Sequence, residues 1–198
     1  MKTVVVYNHP YKKSFNHAIL ERIVSTVKST GNEVDVIDLD EDKFNPVMST
    51  EDLAAFVNQK PVDEVSIGYI KRLKEADHLV FVFPIWWELM PAMMKGFIDK
   101  VIFPGGTYEY AKNGITMHSK LSNLQSATIV TTMNTPKPFY KLMYSNAIQR
   151  AMVRGTLKLS GMKNVKWISM NMVKMSSDKK RSKWLDKLST FFLKKMEN

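Results

Sequence analysis

The sequence contains no cysteine and only four histidines among its 198 residues. The absence of cysteine excludes disulfides, thiolate nucleophiles and cysteine-ligated metals, and it is typical of cytoplasmic proteins. The histidines show no metal-ligand spacing, so we predict no metal site. Apolar runs are far shorter than a membrane span, and the G-x-S-x-G elbow of serine hydrolases is absent. These absences favour a cytoplasmic protein without a membrane-spanning helix.

The chain carries a net charge of +10. A basic chain can meet nucleic acid, an acidic membrane or phosphate-bearing ligands. No recognition helix or RNA-binding motif accompanies the charge, so we predict a solvated basic face and no nucleic-acid partner. Basic residues near the C-terminus are Lys174, Lys179, Lys180, Arg181, Lys183, Lys187, Lys194 and Lys195. Length and a hydrophobic content of 44% predict one domain over residues 1–198, and the early first strand predicts no signal peptide.

Five β-branched or apolar segments alternate with amphipathic segments. Strands are predicted over residues 3–7, 33–38, 79–83, 126–132 and 165–170. Helices are predicted from near residue 14 or 16 to residue 30, and over residues 50–57, 65–76, 91–101, 139–159 and 178–195. This alternation indicates an α/β fold with a doubly wound five-stranded parallel sheet, for which we predict the order 2-1-3-4-5. That order brings the loops after strands one, three and four to one carboxyl edge.

Two loops at this edge carry residues suited to a ligand. The first, residues 9–16, precedes a helix whose free N–H groups and dipole favour an anion, and Ser14 and Asn16 add polar groups. It lacks glycine, and an ordinary capped helix would explain the same residues. The second contains Trp86 and Trp87 directly after a buried strand. Adjacent side chains in an extended loop diverge, so at least one indole should face a pocket or a partner unless both fill core gaps.

Two further segments are candidates. Backbone amides and hydroxyls in residues 131–136 could bind the edge of a heterocycle. Tyr108 and Tyr110 point the same way if their segment is extended, so they could wall an aromatic pocket or pack at a subunit interface. Packing alone would explain the two tyrosines equally well. They lie in residues 103–123, a turn-rich loop long enough to be functional.

Together these segments resemble the flavodoxin-like NAD(P)H:quinone oxidoreductase family, the DT-diaphorase type and its bacterial relatives. Residues 83–101, FPIWWELMPAMMKGFIDKV, match the pattern of a strand followed by P-x-W-W, M-P-A and K-G-x-x-D-x-V. Residues 9–16 match the family's phosphate loop, and residues 44–46 (FNP) and 108–110 (YEY) also fit. The matching elements extend over about two-thirds of the chain, from the first strand to Thr132.

The resemblance implies a bound flavin. The aromatic loop and the chain length slightly favour FAD, and FMN stays open as the alternative. The resemblance also implies that the cofactor-binding residues are His9, Ser14, Phe15, Asn16, Pro84, Ile85, Trp86, Trp87, Thr131, Thr132, Met133 and Asn134. It places Tyr108 and Tyr110 on the substrate side, across a homodimer interface. Many relatives carry two glycines after the paired threonines, where this chain has Met133 and Asn134. No catalytic side chain is implied, because the tyrosine–histidine pair of some relatives has no clear match.

The activity implied by the resemblance is two-electron transfer. NAD(P)H passes a hydride to the flavin, and a quinone or similar flat acceptor then takes the two electrons at the same place. Two other classes of function stay open. One is a flavin-binding regulatory subunit of a membrane transporter, and the other is an electron carrier like flavodoxin.

Overall fold

The computed structural model describes residues 1–196. Its main sheet contains five parallel strands in the order β2-β1-β3-β6-β7. These strands are β1 Lys2–Tyr7, β2 Glu33–Asp38, β3 His78–Pro84, β6 Ser126–Met133 and β7 Val165–Asn171. The short strands β4 Tyr108–Tyr110 and β5 Met117–Ser119 form a separate antiparallel hairpin. The predicted fold class and strand order are therefore confirmed, while the hairpin lies inside the segment predicted as a loop.

Helices lie on both faces of the sheet. Their bounds are α1 Phe15–Ser29, α2 Thr50–Val57, α3 Glu64–Lys74, α4 Ala92–Val101, α5 Lys137–Met143, a π-helix Gln149–Lys158, a 3₁₀ turn Val173–Met175 and α6 Asp178–Met196. On one face α1 and α6 share a core with the inward side chains of β1 and β3. On the other face α3, α4 and the π-helix share a second core. Within residues 1–196, no helix combines the length and apolar character needed to cross a membrane.

The prediction of a single helix over residues 139–159 is wrong. The chain leaves α5 at Tyr144, and Ser145 and Asn146 adopt left-handed backbone angles with φ of 50° and 56°. Tyr140 holds this break from both sides, since its carbonyl accepts from the Asn146 amide at 3.2 Å and its hydroxyl accepts from the Ile148 amide at 3.1 Å. Apolar periodicity continues through the break, so the pattern alone could not reveal it.

The connection after β2 packs closely on α4. A Cβ atom at Gly96, in the middle of α4, would lie 2.3 Å from Cβ of Pro46. One turn later the buried Lys100 ammonium lies 3.4 Å from Asp52 and 3.6 Å from Asp63. The Asp52 carboxylate accepts from the Ser49 amide at the start of α2, and the Asp63 carboxylate accepts from the Ser66 amide at the start of α3. Residues 44–46 and the K-G-x-x-D pattern thus belong together because α4 is the surface on which this connection rests.

A buried histidine gives the stability a pH dependence. His78 is fully buried, its Nδ1 lies 2.6 Å from Ser126 Oγ, and its ring packs against Phe192. Burial lowers the pKa of His78 from 6.5 to about 3, with a smaller contribution from Lys195. The unfolded chain therefore binds this proton at a pH where the folded chain does not. The stability that depends on neutral His78 is fully present above pH 6.5. It is lost as the pH falls below 6.5, by about 1.4 kcal/mol of unfolding free energy per pH unit.

We expect His78 to lower the free energy of unfolding by about 2 kcal/mol between pH 7 and pH 5. Urea denaturation at both values measures the change, and His78→Gln should flatten it. His118→Gln is the control, because His118 is an exposed histidine that should leave the slope unchanged. Proton NMR of the histidine rings provides a check independent of the variant's stability. Protonation of His78 above pH 5 in the folded protein would contradict the prediction.

Candidate functional site

A cleft of about 300 Å³ opens at the carboxyl edge of the sheet. It lies where β1 and β3 are neighbours and their connections diverge, which is the usual ligand position in open α/β sheets. Its walls come from the loops that follow β1, β3, β6 and β7. The lining residues are His9, Ser14, Phe15, Asn16, Pro84, Ile85, Trp86, Thr132, Met133, Asn134, Val173 and Lys174.

The first wall is the start of α1. Ser14 is the N-cap, and its Oγ accepts a hydrogen bond from the His17 amide at 3.1 Å. The first amides of the helix have no partner within the helix, so they can bind an anion. Nδ1 of His9 accepts from the Tyr11 amide at 3.1 Å, which leaves Nε2 as the donor. Burial lowers the pKa of His9 although Asp40 opposes the shift, so this imidazole is a neutral donor at pH 7.

The second wall joins α1 to the neighbouring strands. Asn16 is buried, and its Nδ2 donates to Thr132 Oγ1 at 2.8 Å. The Ile85 amide donates to the Thr132 carbonyl at 2.8 Å. These bonds fix the ends of β3 and β6 relative to the start of α1. Three of the residues that the family resemblance assigns to a cofactor site, Asn16, Ile85 and Thr132, are therefore neighbours in space.

Buried side-chain polar atoms without hydrogen-bond partners occur in the elements that form this cleft, and that of Asn16 belongs to a lining residue. Within residues 1–196 there are five such side-chain atoms, namely Tyr7 Oη, Asn8 Oδ1, Asn16 Oδ1, His17 Nδ1 and Glu88 Oε2. Four belong to the end of β1 and the start of α1, and the fifth belongs to the turn that carries Trp87. Because buried polar groups are normally hydrogen-bonded, such atoms indicate that a polar ligand or water completes the site. The groups that fit a phosphorylated ligand are the free N–H donors at the start of α1, because the unpartnered oxygens of Asn8, Asn16 and Glu88 only accept hydrogen bonds.

The third wall is a tight turn over residues 86–89. Trp86 and Leu89 exchange backbone hydrogen bonds of 3.0 and 3.1 Å. Both central residues, Trp87 and Glu88, adopt left-handed angles with φ of 47° and 65°, which is unfavourable for residues other than glycine. Backbone strain of this kind persists only where other contacts enforce it. Here the Tyr140 hydroxyl donates to the Glu88 carbonyl at 2.7 Å.

The two indoles have different surroundings. The Trp86 ring stands edge-on to His9 at a centroid distance of 6.1 Å and lines the cleft. Trp87, at the tip of the turn, is 98% exposed and does not line it. The expectation that adjacent indoles diverge and that one reaches a pocket agrees with this geometry. Trp87 is left available for a partner.

The other predicted residues divide between the cleft and the core. Met133 and Asn134 line the cleft, whereas Thr131 is fully buried behind it and accepts a hydrogen bond from Trp167 Nε1 at 2.9 Å. Tyr108 and Tyr110 contact each other edge to face at 5.6 Å in the hairpin and do not line the cleft of their own chain.

Two lining residues, Val173 and Lys174, were missed by the sequence analysis. The Lys174 amide donates to Asn134 Oδ1 at 2.9 Å, which joins the loops that follow β6 and β7. The segment has no motif of its own. The only available signal was that the loop after the fifth strand ends at the same edge as the others.

Comparison with known proteins gives a match to a family model described as a flavodoxin-like fold over residues 1–191. A curated relative named as an uncharacterized NAD(P)H oxidoreductase from Haemophilus influenzae is 26% identical over 94% of this chain and 91% of its own length. The rat NAD(P)H dehydrogenase [quinone] 1 is 32% identical over 66% of this chain, which spans 53% of the rat protein. The crystal structure of Smu.1420 from Streptococcus mutans UA159 is 31% identical, with a TM-score of 0.84 over 98% of this chain and 100% of that chain.

Proposed function

Because this chain belongs to the flavodoxin-like family whose model covers residues 1–191, we propose that it is a flavin-dependent NAD(P)H oxidoreductase with a quinone or similar flat acceptor. The observation that carries the proposal is the shared cleft, where the anion-binding start of α1, the Trp86 turn and the end of β6 meet. The names of the relatives from H. influenzae and rat support the same reaction class. The continuous sheet supports a single domain over residues 1–198, and the lack of cysteine supports a cytoplasmic location.

A flavin, when bound, supplies two-electron transfer between NAD(P)H and the acceptor. The start of α1, with Ser14 as its cap, binds the cofactor's phosphate, and neutral His9 donates from Nε2. The Asn16–Thr132 bond holds the start of α1 against the end of β6, and the Ile85–Thr132 bond holds the end of β3 against β6. Pro84, Ile85 and Trp86 form an apolar wall that orients a planar ring and excludes water from one side. Met133 and Asn134 approach the ring from the next loop, and no side chain acts as a nucleophile.

We propose FAD as the form of the flavin. The cleft continues past the start of α1 to Lys174, whose charge suits a second phosphate. A visible spectrum of the purified protein tests whether a flavin is bound, and acid release with mass analysis of the chromophore tests whether that flavin is FAD. Release of FMN would overturn the choice of FAD only. A protein that carries no flavin, cannot be loaded with one and oxidises no NAD(P)H with quinones would overturn the whole proposal.

The proposed active form is a homodimer. Exposed apolar side chains adjoin the Trp86 turn, because Tyr140 joins that turn to α5. They are Trp86, Trp87, Leu89, Phe139, Leu142, Met143 and Tyr144. A contiguous apolar surface of this kind suits a second copy of the chain. In that arrangement the Tyr110 hydroxyl, supported by nearly buried Tyr108, borders the substrate side of the partner's cleft.

We expect Leu142→Asp to weaken the dimer by at least about 30-fold, because a carboxylate would replace an apolar contact at the interface. Light scattering after size exclusion, at several protein concentrations, measures the change. Leu53→Asp is the matched control, since Leu53 is an exposed leucine on α2 that lies outside this surface. A monomeric parent protein, or a Leu142→Asp variant that dimerises as strongly as the parent, would contradict the prediction.

A further inference from the structure

The net positive charge of this chain comes entirely from its last third. Residues 1–136 contain fourteen basic and sixteen acidic residues, whereas residues 137–198 contain fifteen basic and only three acidic residues. The first part is thus slightly acidic, and the last part alone accounts for the overall excess. Such asymmetry is a physical argument about partners, because it gives the molecule a strongly positive side.

The fold places this charge along one flank of the molecule, around the edge strand β7 and on both faces of the sheet. Residues 137–196 form α5, the π-helix, the edge strand β7 and α6. The π-helix packs against β7, and α6 adjoins β7 through Lys166, whose ammonium lies 4.5 Å from the centre of the Phe191 ring. The acidic residues of this flank are already paired, Asp178 with Arg181 and Asp186 with Arg22, each at 2.9 Å.

The lysines of α6 stay outside because its apolar side is occupied. Leu188 and Phe192 are buried in the core that α6 shares with α1, so the main apolar side of the helix is covered by the protein itself. The outward lysines, here called the basic ridge, are Lys179, Lys180, Lys183 and Lys187. Within the described residues, no ion pair involves any of these four lysines. The ridge can therefore act as a surface of unneutralised charge.

The helix that carries the ridge contacts a residue of the cleft, because the Trp184 ring of α6 lies 6.1 Å from the ring of Phe15. Lys174 lines the cleft, Met175 follows it with 80% of its side chain exposed, and the ridge begins four residues later. An exposed methionine among lysines suits the boundary of headgroups and acyl chains in a bilayer. A nucleic-acid backbone offers no apolar counterpart to this methionine. The aromatic residue among the ridge lysines, Trp184, is half-buried, and the Lys180 ammonium lies 5.2 Å from the centre of its ring, so that face is already occupied.

We propose that the basic ridge docks this protein on an anionic phospholipid surface, with the mouth of the cleft beside that surface. The docking is electrostatic and reversible, as expected for lysines that lie on a bilayer without an inserted helix. This inference rests on the proposed function in one respect only. A membrane-facing cleft gives a quinone reductase direct access to quinones that partition into lipid.

Co-sedimentation with vesicles tests the docking directly. We expect the holoprotein to bind vesicles of mixed phosphatidylcholine and phosphatidylglycerol at low salt, and not vesicles of phosphatidylcholine alone. Binding should be lost near 0.5 M salt, where charges are screened within a few ångströms. Each lysine near an anionic surface strengthens binding about fivefold, so the triple variant Lys179→Gln, Lys183→Gln, Lys187→Gln should bind about 100-fold more weakly.

The matched control removes the same charge elsewhere. Lys28, Lys71 and Lys74 are exposed lysines on α1 and α3, and replacing all three by glutamine should leave vesicle binding within about twofold of the parent. The proposal is overturned if the parent ignores anionic vesicles at low salt, if the ridge variant binds as well as the parent, or if the parent binds a DNA or RNA duplex more tightly than anionic vesicles at the same salt concentration. Vesicle binding requires no turnover, so its result is separate from the test of the proposed activity.

Discussion

Ser14→Asp should lower the affinity for flavin by about 100-fold or more without weakening the fold. Aspartate is as good an N-cap as serine, and its charge is favourable at the start of a helix, so α1 should be as stable as before. The same carboxylate would stand within about 4 Å of a bound phosphate. At the effective dielectric constant of a protein surface, that repulsion costs about 4 kcal/mol. Fluorescence titration of the apoprotein with FAD and FMN measures the loss.

A cap on another helix provides the control. Ser49 caps α2 through the same type of bond, since its Oγ accepts from the Asp52 amide at 3.1 Å, and it does not line the cleft. Ser49→Asp should leave flavin affinity unchanged. If Ser14→Asp bound flavin as tightly as the parent, the phosphate would have to lie away from the start of α1. The assignment of this loop would then fail even if the protein proved to be a flavoenzyme.

Strand order and the grouping of the loops could be predicted because they depend on patterns along the chain. β1, β3 and β6 are buried on both faces, so they are rich in β-branched and apolar residues, and parallel strands bring their following loops to one edge. The His9 to Asn16 loop and the Trp86 turn meet there for that reason. The family resemblance added which of these loops should carry the ligand.

Of the remaining features, one follows from the alternation of side chains along a strand, and the others depend on contacts between distant parts of the chain. Thr131 and Thr132 are adjacent, yet Thr132 faces the cleft while Thr131 bonds Trp167 behind it, because successive side chains of a strand point to opposite faces. Lys174 reaches the cleft through its amide bond to Asn134, a bond between distant parts of the chain. The break after α5 likewise depends on one tyrosine hydroxyl.

The K-G-x-x-D segment packs the fold and also helps to position the cleft. α4 follows the Trp86 turn directly, so its position sets the position of the cleft's apolar wall. Pro46 lies where the Gly96 side chain would be, with its Cβ, Cα and carbonyl oxygen all within 2.4 Å of a Cβ placed there. Two of these three atoms belong to the backbone, so the contact cannot be relieved by turning a side chain. Any larger residue must push α4 and the residue 44–46 segment apart.

We therefore expect Gly96→Ala to lower the free energy of unfolding by about 3 kcal/mol, the upper end for overpacking in a core. The gain of about 1 kcal/mol that alanine normally brings to a helix interior is too small to offset this. Gly68→Ala on α3 isolates that intrinsic gain, because a Cβ at Gly68 meets no atom within 4 Å, and it should raise stability by 0.5 to about 1 kcal/mol. If the packing argument holds, urea denaturation shows a lower free energy of unfolding than the parent for Gly96→Ala and a higher one for Gly68→Ala. Equal stabilisation by both alanines would mean that Pro46 moves away freely, and α4 would then not fix the turn that carries Trp86.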